Sequence, residues 1–448
     1  MTKPSLPKGT RDFLPSQVLK RKYMFGILES VFQRHGFVPI ETPSLELMQT
    51  LTGKYGEEGD RLLFKILNSG HFLEEADGEA LHNKDSLKLA ASIAKRGLRY
   101  DLTVPFARFV VMNRGDITFP FKRYQIQPVW RADRPQKGRY QEFYQCDCDV
   151  VGSKSLLYEA DLISIYAEAF TLLGIDVQIK VNHRGVLMGI AEAADIADKF
   201  VAMTVCIDKL DKIGEEKVKA EMIERGIAKE AAEKILAVIK ISDLESIARE
   251  IGHTFSGAKA IDELKNIFLF SSKYNLTQEV VFDPTLARGL SYYTGFITEV
   301  VAKNAQMGSL GGGGRYDNLT GSFGLPDVPG VGVSFGAERI FDVMEELKLF
   351  PAAIAIQLKV LVIPMSENAV IQAIDITNEL RKSNINTDQY PDVVKLNKSM
   401  KYANDLHVPF VVLMGDDEIA TGLYSLKNMI SGEQSKLNKE ELLSTLIG

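Results

Sequence analysis

Residues 121–152, FKRYQIQPVWRADRPQKGRYQEFYQCDCDVVG, leave the chain few ways to fold. Tyr124, Ile126 and Pro128 alternate before a turn-rich loop holding Pro135 and Gly138, and Phe143 to Val151 reads as a strand after it. Two such runs predict an antiparallel hairpin. Residues 121–139 carry six cations (Lys122, Arg123, Arg131, Arg134, Lys137, Arg139) against one acid, Asp133, while the whole chain is formally −6. A cationic hairpin on an acidic protein points to a local anion site, with a solvated charged turn as the alternative.

With 448 residues the chain has room for two or three domains and an ample core. No apolar run approaches the roughly 20 residues that span a bilayer, so no membrane partner is expected. MTKPSLPKGTRDFLP lacks the apolar centre of a signal peptide. Cys146, Cys148 and Cys206 make no disulfide framework, which leaves a reducing cytoplasm as the expected compartment.

Apolar positions at helical spacing predict a helix over 17–35, stopped by Gly36, before a short strand that ends at Pro43. Residues 68–96 read as a polar surface excursion without an assignable purpose. LRYDLTVPFARFVV predicts a strand running into a helix; Asp101 and Thr103 at that junction serve as helix caps or as ligand contacts. Residues 195–275 are charge-dense with a 3.6-residue apolar period and predict a helical insertion, with a capping box at Ser242 and Glu245. VVFDPTLARGLSYYTGFITEVVA then sets Arg288, Tyr292 and Tyr293 around a glycine turn between two strands. Gly311 to Gly314 offer no side chains to pack and instead permit close approach of backbone or ligand. Gly330, Gly332 and Gly336 match a dinucleotide fingerprint only loosely, with no βαβ unit around them. From Lys359, strand–helix alternation predicts a separate α/β domain with 9 Lys/Arg against 12 Asp/Glu.

These stretches resemble the histidyl-tRNA synthetase family of class II aminoacyl-tRNA synthetases over nearly the whole chain. GFVPIETPSLE resembles the first class motif, VWRADRPQKGRYQEF the second and GVGVSFGAERI the third. LARGLSYYTG and GGGGRYDNL resemble the two signatures peculiar to the histidine enzymes. LRYDLTVPFARF resembles the eukaryotic-like branch, in which Asp101 stands where many bacterial members have glutamate. The resemblance implies a multidomain α+β and α/β chain. Its antiparallel-sheet catalytic core would take residues 1–194 and 276–350, interrupted by the helical insertion 195–275, and an α/β anticodon-binding domain would take 358–448.

The implied activity is ATP-dependent formation of histidyl-adenylate, then transfer of histidine to the 3′ end of histidine tRNA, releasing AMP and pyrophosphate. Both steps need alignment and charge stabilisation rather than a protein nucleophile, and arginine suits phosphate oxygens. By resemblance Arg131 holds the α-phosphate and the histidine carboxylate, and Arg139 and Arg339 hold the outer phosphates. Phe143 would stack on adenine, and Asp133, one methylene shorter than the family's glutamate, lies on the adenine side. Arg288 would face the α-phosphate from the other side, where other class II enzymes place a metal. No protein-bound metal is implied, although Mg2+ would accompany ATP.

Asp149 and Tyr293 are implied as the imidazole's partners, with Tyr292 and Tyr316 closing the pocket. Asp101, Thr103 and Gln145 would bind the α-amino group. Strand parity supports part of this, because Gln145, Asp147 and Asp149 share one face and Cys146 and Cys148 the other. Gln136 would reach the tRNA acceptor end, and the first motif implies a homodimer. Alternatives are a non-catalytic regulatory paralogue that binds histidine, a sister class II synthetase, or a pure RNA-binding module. The retained arginines and histidine signatures weigh against all three.

Overall fold

The computed structural model describes residues 3–52, 62–136, 138–287, 292–355 and 358–447. The chain divides into two units, residues 1–14 with 21–350, and residues 15–20 with 351–448.

The helix Pro15–Arg34, which belongs to the larger unit from Arg21 on, buries Met24, Leu28, Val31 and Phe32 along one stripe, and Gly36 (φ 76°) ends the turn after it. The predicted strand after it is split. Val38–Pro39 (β1) runs parallel to Phe121–Trp130, whereas Leu45–Leu47 (β2) joins Lys65–Ile66 (β3) and Arg96–Leu98 (β4) in a separate sheet ordered β2-β4-β3. The excursion between β3 and β4 forms two short helices, Gly78–His82 and Ser86–Ile93. Each starts on an aspartate, Asp77 and Asp85, whose carboxylate accepts amide hydrogens of the first turn.

The predicted hairpin is present as Phe121–Trp130 (β5) and Glu142–Val151 (β6). Four further strands, Val177–His183 (β7), Glu279–Phe282 (β8), Phe296–Ala302 (β9) and Gly311–Arg315 (β10), join it with Gly330–Gly336 (β11). The order is β1-β5-β6-β11-β10-β9-β7-β8, antiparallel except at the β1–β5 and β7–β8 pairs. The glycine run is therefore a central strand. A Cβ at Gly314 would come within 2.8 Å of the Tyr293 ring, so the missing side chain is what lets that tyrosine lie on the sheet. Gly330, Gly332 and Gly336 fall within an antiparallel strand and form no nucleotide-binding turn.

Phe335 carries the apolar face of this sheet, with Phe32, Tyr166 and Phe170 at centroid distances of 5.6, 4.6 and 5.6 Å. Cys146 and Cys148 lie in that core as free thiols. The insertion is helical as its periodicity predicts, and Met203, Val218, Met222, Ile235, Ile247 and Leu264 continue the same apolar cluster. A simple N-cap stands in place of the expected capping box. Asp243, not Ser242, is the N-cap of Leu244–Ile251 and accepts the Ser246 amide hydrogen. An extended Asp243 puts its short carboxylate within 2.7 Å of that amide, leaving Ser242 outside the helix.

The smaller unit holds a five-stranded sheet built from Val360–Pro364 (β12), Thr387–Gln389 (β13), Phe410–Met414 (β14), Tyr424–Asn428 (β15) and Gln434–Leu437 (β16), ordered β13-β12-β14-β15-β16. The strand–helix alternation produces the parallel part, and β15 and β16 add antiparallel strands. Both faces are covered. Val360, Val362, Val412 and Met414 enter one apolar cluster, and Leu361, Ile363, Val411 and Leu413 enter another.

Candidate functional site

Register assembles the site. Across the hairpin Arg123 pairs with Asp149, Gln125 with Asp147 and Gln127 with Gln145. On the other side of β6, Gly332 pairs with Asp149, Ser334 with Asp147 and Gly336 with Gln145. Directly opposed residues of an antiparallel pair point to the same face, so a polar patch three strands wide results. Gly332 makes room in it: a Cβ there would sit 1.8 Å from Asp149 Oδ1.

A cavity of about 490 Å³ opens over this patch. Of the site residues expected from sequence, Asp101, Thr103, Arg131, Asp133, Arg139, Phe143, Gln145, Asp149, Tyr292, Tyr293, Tyr316 and Arg339 all line it. Gln136 is not among the lining residues; it lies at the hairpin tip, where its backbone exchanges hydrogen bonds with Arg139. Arg288 and Lys137 fall outside the described residues. The insertion contributes Asp208 to the wall.

The cationic side is anchored through backbone carbonyls. Arg131 Nε donates to Tyr100 O at 2.9 Å, and its guanidinium carbon lies 5.3 Å from the Phe143 ring centre. Arg339 donates to Gly138 O at 3.0 Å and to Ser309 O at 2.7 Å, tying the hairpin tip to the loop before β10. Its neighbour Glu338 accepts from Arg11, from Arg21 (2.7 Å) and from the Tyr144 amide. Arg11 also lies 3.6 Å over the Tyr140 ring, and Gly9 O accepts from the Gln141 amide, so residues 9–11 brace the outgoing strand of the hairpin.

The acidic part of the wall is buried. Tyr316 Oη donates to Asp149 Oδ1 at 2.5 Å, and Arg123 NH2 lies 2.8 Å from Asp149 Oδ2. That ion pair is close but poorly aligned, so Asp149 Oδ2 has no hydrogen bond, nor do Arg123 Nε and NH1. Gln145 Nε2 donates to Ser334 Oγ at 3.0 Å. Gln145 Oε1 and Asp147 Oδ1 are buried without partners. Burial raises the Asp101 carboxyl to about 7 against the pull of Arg131, and burial likewise raises Asp147 to about 7 against Arg123, with Asp149 adding to the rise. Asp149 is also raised by burial, opposed by Arg123 and by the Tyr316 bond. Asp101 additionally meets the Val104 amide at 3.4 Å, so capping and site contact coincide in one residue.

Three buried acceptors that receive no hydrogen bond, on residues lining one cavity with anchored guanidiniums, suit a ligand with both N–H donors and anionic oxygens. Sequence reasoning gave no role to Arg123, Asp147, Ser334 or Glu338. Arg123 is one of the hairpin's six cations, yet its side chain is 0% exposed and lies 4.3 Å over Phe106, and Lys122 is paired with Asp161. The hairpin's own register carried the signal for Arg123, because it sets that residue opposite Asp149. Among the described residues, no group of three or more His, Cys, Asp or Glu side chains is arranged to hold a metal.

The model of the family described as "Histidyl-tRNA synthetase" matches residues 9–73 and 71–340, and that described as "Anticodon binding domain" matches 359–448. A histidine–tRNA ligase of Cytophaga hutchinsonii is 52% identical, covering 100% of both chains. One from Porphyromonas gingivalis is 51% identical over 98% of this chain and 97% of its own. The crystal structure of histidyl-tRNA synthetase from Nostoc sp. PCC 7120 superposes with a TM-score of 0.82 at 28% identity, covering 100% and 99% of the two chains.

Proposed function

The chain belongs to the histidyl-tRNA synthetase family, and from that premise we propose how its cavity activates histidine with ATP and charges tRNA. The observation that carries the reading is the convergence on one cavity of Arg131, Arg139 and Arg339 with Asp101, Gln145 and Asp149. The histidine carboxylate attacks the α-phosphorus of ATP and pyrophosphate leaves; the terminal ribose hydroxyl of the tRNA then attacks the acyl carbon and AMP leaves.

Arg131 orients the carboxylate against the α-phosphate, with its Nε held by Tyr100 O so that the fork is preorganised. Arg139 and Arg339 take the outer phosphates of a nucleotide that arrives as its magnesium complex. Phe143 and Asp133 take the adenine side, and Arg288 completes the charge on the α-phosphate. Asp101, Thr103 and Gln145 receive the α-amino group. Asp149 and Tyr293 read the ring, and Tyr316 acts by orienting Asp149 through their hydrogen bond, with Tyr292 as the lid. A pocket with buried acceptors discriminates strongly against side chains lacking ring N–H groups. Gln136 approaches the acceptor end of the tRNA, residues 195–275 its acceptor arm, and residues 358–448 the anticodon. The enzyme works in the cytoplasm as a homodimer joined along the edge of the sheet at β1, where Val38 is 47% exposed.

Amino-acid-dependent exchange of pyrophosphate into ATP tests this. Exchange is expected with histidine alone among the amino acids, and activity with another amino acid would overturn the assignment. Removing residues 359–448 is expected to cut tRNA charging far more than exchange; equal loss would make that region structural.

A pH dependence also follows. Asp101 and Asp147 titrate near 7 in the folded chain, well above their unfolded range, so the ligand-free protein loses stability as pH rises from about 4 to about 7. An ammonium ligand favours the ionised carboxylates, so binding expels protons below pH 7 and histidine affinity rises from about pH 6 to about pH 8. Calorimetry in buffers of different ionisation heat measures that release, and Asp101→Asn should reduce it.

A further inference from the structure

We infer that Asp147 is a second carboxylate for the substrate's α-ammonium, acting with Gln145 and held in position by Ser334. This rests on the histidine-binding reading above and adds a residue to which that reading gives no role.

Asp147 lines the cavity and is 2% exposed, on the face of β6 that also carries Gln145 and Asp149. The direction of its hydrogen bonds is settled by the chemistry of its neighbours. Gln145 Nε2 donates to Ser334 Oγ, so the Ser334 hydroxyl spends its own proton on Asp147. That leaves Gln145 Oε1 and Asp147 Oδ1 as buried acceptors without a donor. Ser334 stands opposite Asp147 in the β6–β11 register, so the relay is built into the sheet.

Two adjacent acceptors require a ligand group with more than one N–H. An ammonium has three, whereas a neutral imidazole has one. The ring end is already defined by Asp149, which Tyr316 and Arg123 engage. Asp147 is linked instead toward Gln145, the amino end. Burial agrees: it raises Asp101 and Asp147 further than Arg131 and Arg123 can offset, and a substrate ammonium favours the ionised form of both carboxyls.

The test uses the full chain and three ligands in calorimetry: histidine, histidinol (amine and ring, no carboxylate) and imidazolelactate (ring and carboxylate, no amine). Asp147→Asn is expected to weaken histidine and histidinol by about tenfold or more, the scale of a lost charge-assisted hydrogen bond, and imidazolelactate by less than about twofold. Ser334→Ala keeps the carboxylate but frees it, and is expected to weaken the same two ligands by about threefold or more; it carries the test should Asp147→Asn fail to fold. Equal weakening of imidazolelactate, or unchanged histidine binding, overturns the inference. Failure of the unaltered chain to bind histidine would overturn the functional reading itself, whereas normal binding by that chain and by both variants would overturn only the role of Asp147.

Discussion

Arg131→Ala is expected to lower histidine-dependent pyrophosphate exchange by about 10³-fold, the scale seen when one preorganised donor to a developing oxyanion is removed. The reason is geometric. Arg131 is fixed by Tyr100 O at 2.9 Å and flanked by Phe143, so its charge needs no reorganisation when the α-phosphate takes on negative charge. Arg131→Lys should rescue little, because an ammonium on a flexible stem cannot fork between carboxylate and phosphate. The change also removes the main charge opposing the burial of Asp101, so that carboxyl should titrate still higher. Single-turnover adenylate formation separates the loss of chemistry from any loss of ATP binding. Exchange within tenfold of the unaltered chain would remove Arg131 from the centre of the reaction.

Gly332→Ala should raise the KM for histidine by about 100-fold while leaving that for ATP within a few-fold, although position 332 has no side chain of its own. The added methyl would fall 1.8 Å from Asp149 Oδ1 and 2.3 Å from its Cγ, so the carboxyl must leave its place. The acceptor proposed for the ring goes with it, together with the Tyr316 bond and the Arg123 ion pair. Arg123 then loses its closest carboxylate and keeps the more distant pull of Asp147, and breaking a buried pair costs roughly 3–5 kcal/mol in comparable cases. A lower urea midpoint should therefore accompany the KM change. Tyr316→Phe removes one bond without filling space and should do less on both counts. Unchanged histidine affinity in Gly332→Ala would mean that Asp149 does not read the substrate.

The two residues show unequal legibility in the sequence. Arg131 stands in a stretch that resembles the family's second motif, and it lines the cavity. Gly332 resembled part of a loose nucleotide fingerprint, and only its pairing with Asp149, across 183 residues of chain, explains it. Arg123 and Arg139 look alike as letters in one cationic stretch; burial separates them, and burial is not a local property. The cap at Asp243 rather than Ser242 is a smaller instance. Either residue suits the position chemically, and backbone geometry chose between them.

What the amino-acid order settled by itself is whatever depends on near neighbours. This includes the hairpin and the parity that groups Gln145 with Asp149, the helical period of the insertion, and the strand–helix alternation after Lys359. Tertiary structure decided the rest. It placed the glycine run at the centre of a sheet, set Tyr316 on Asp149, held Ser334 between Gln145 and Asp147, and buried Arg123 beneath the acidic wall. These contacts join strands far apart in the chain, and their energies depend on burial and on hydrogen-bond direction, which come into being only when β6, β10 and β11 pair.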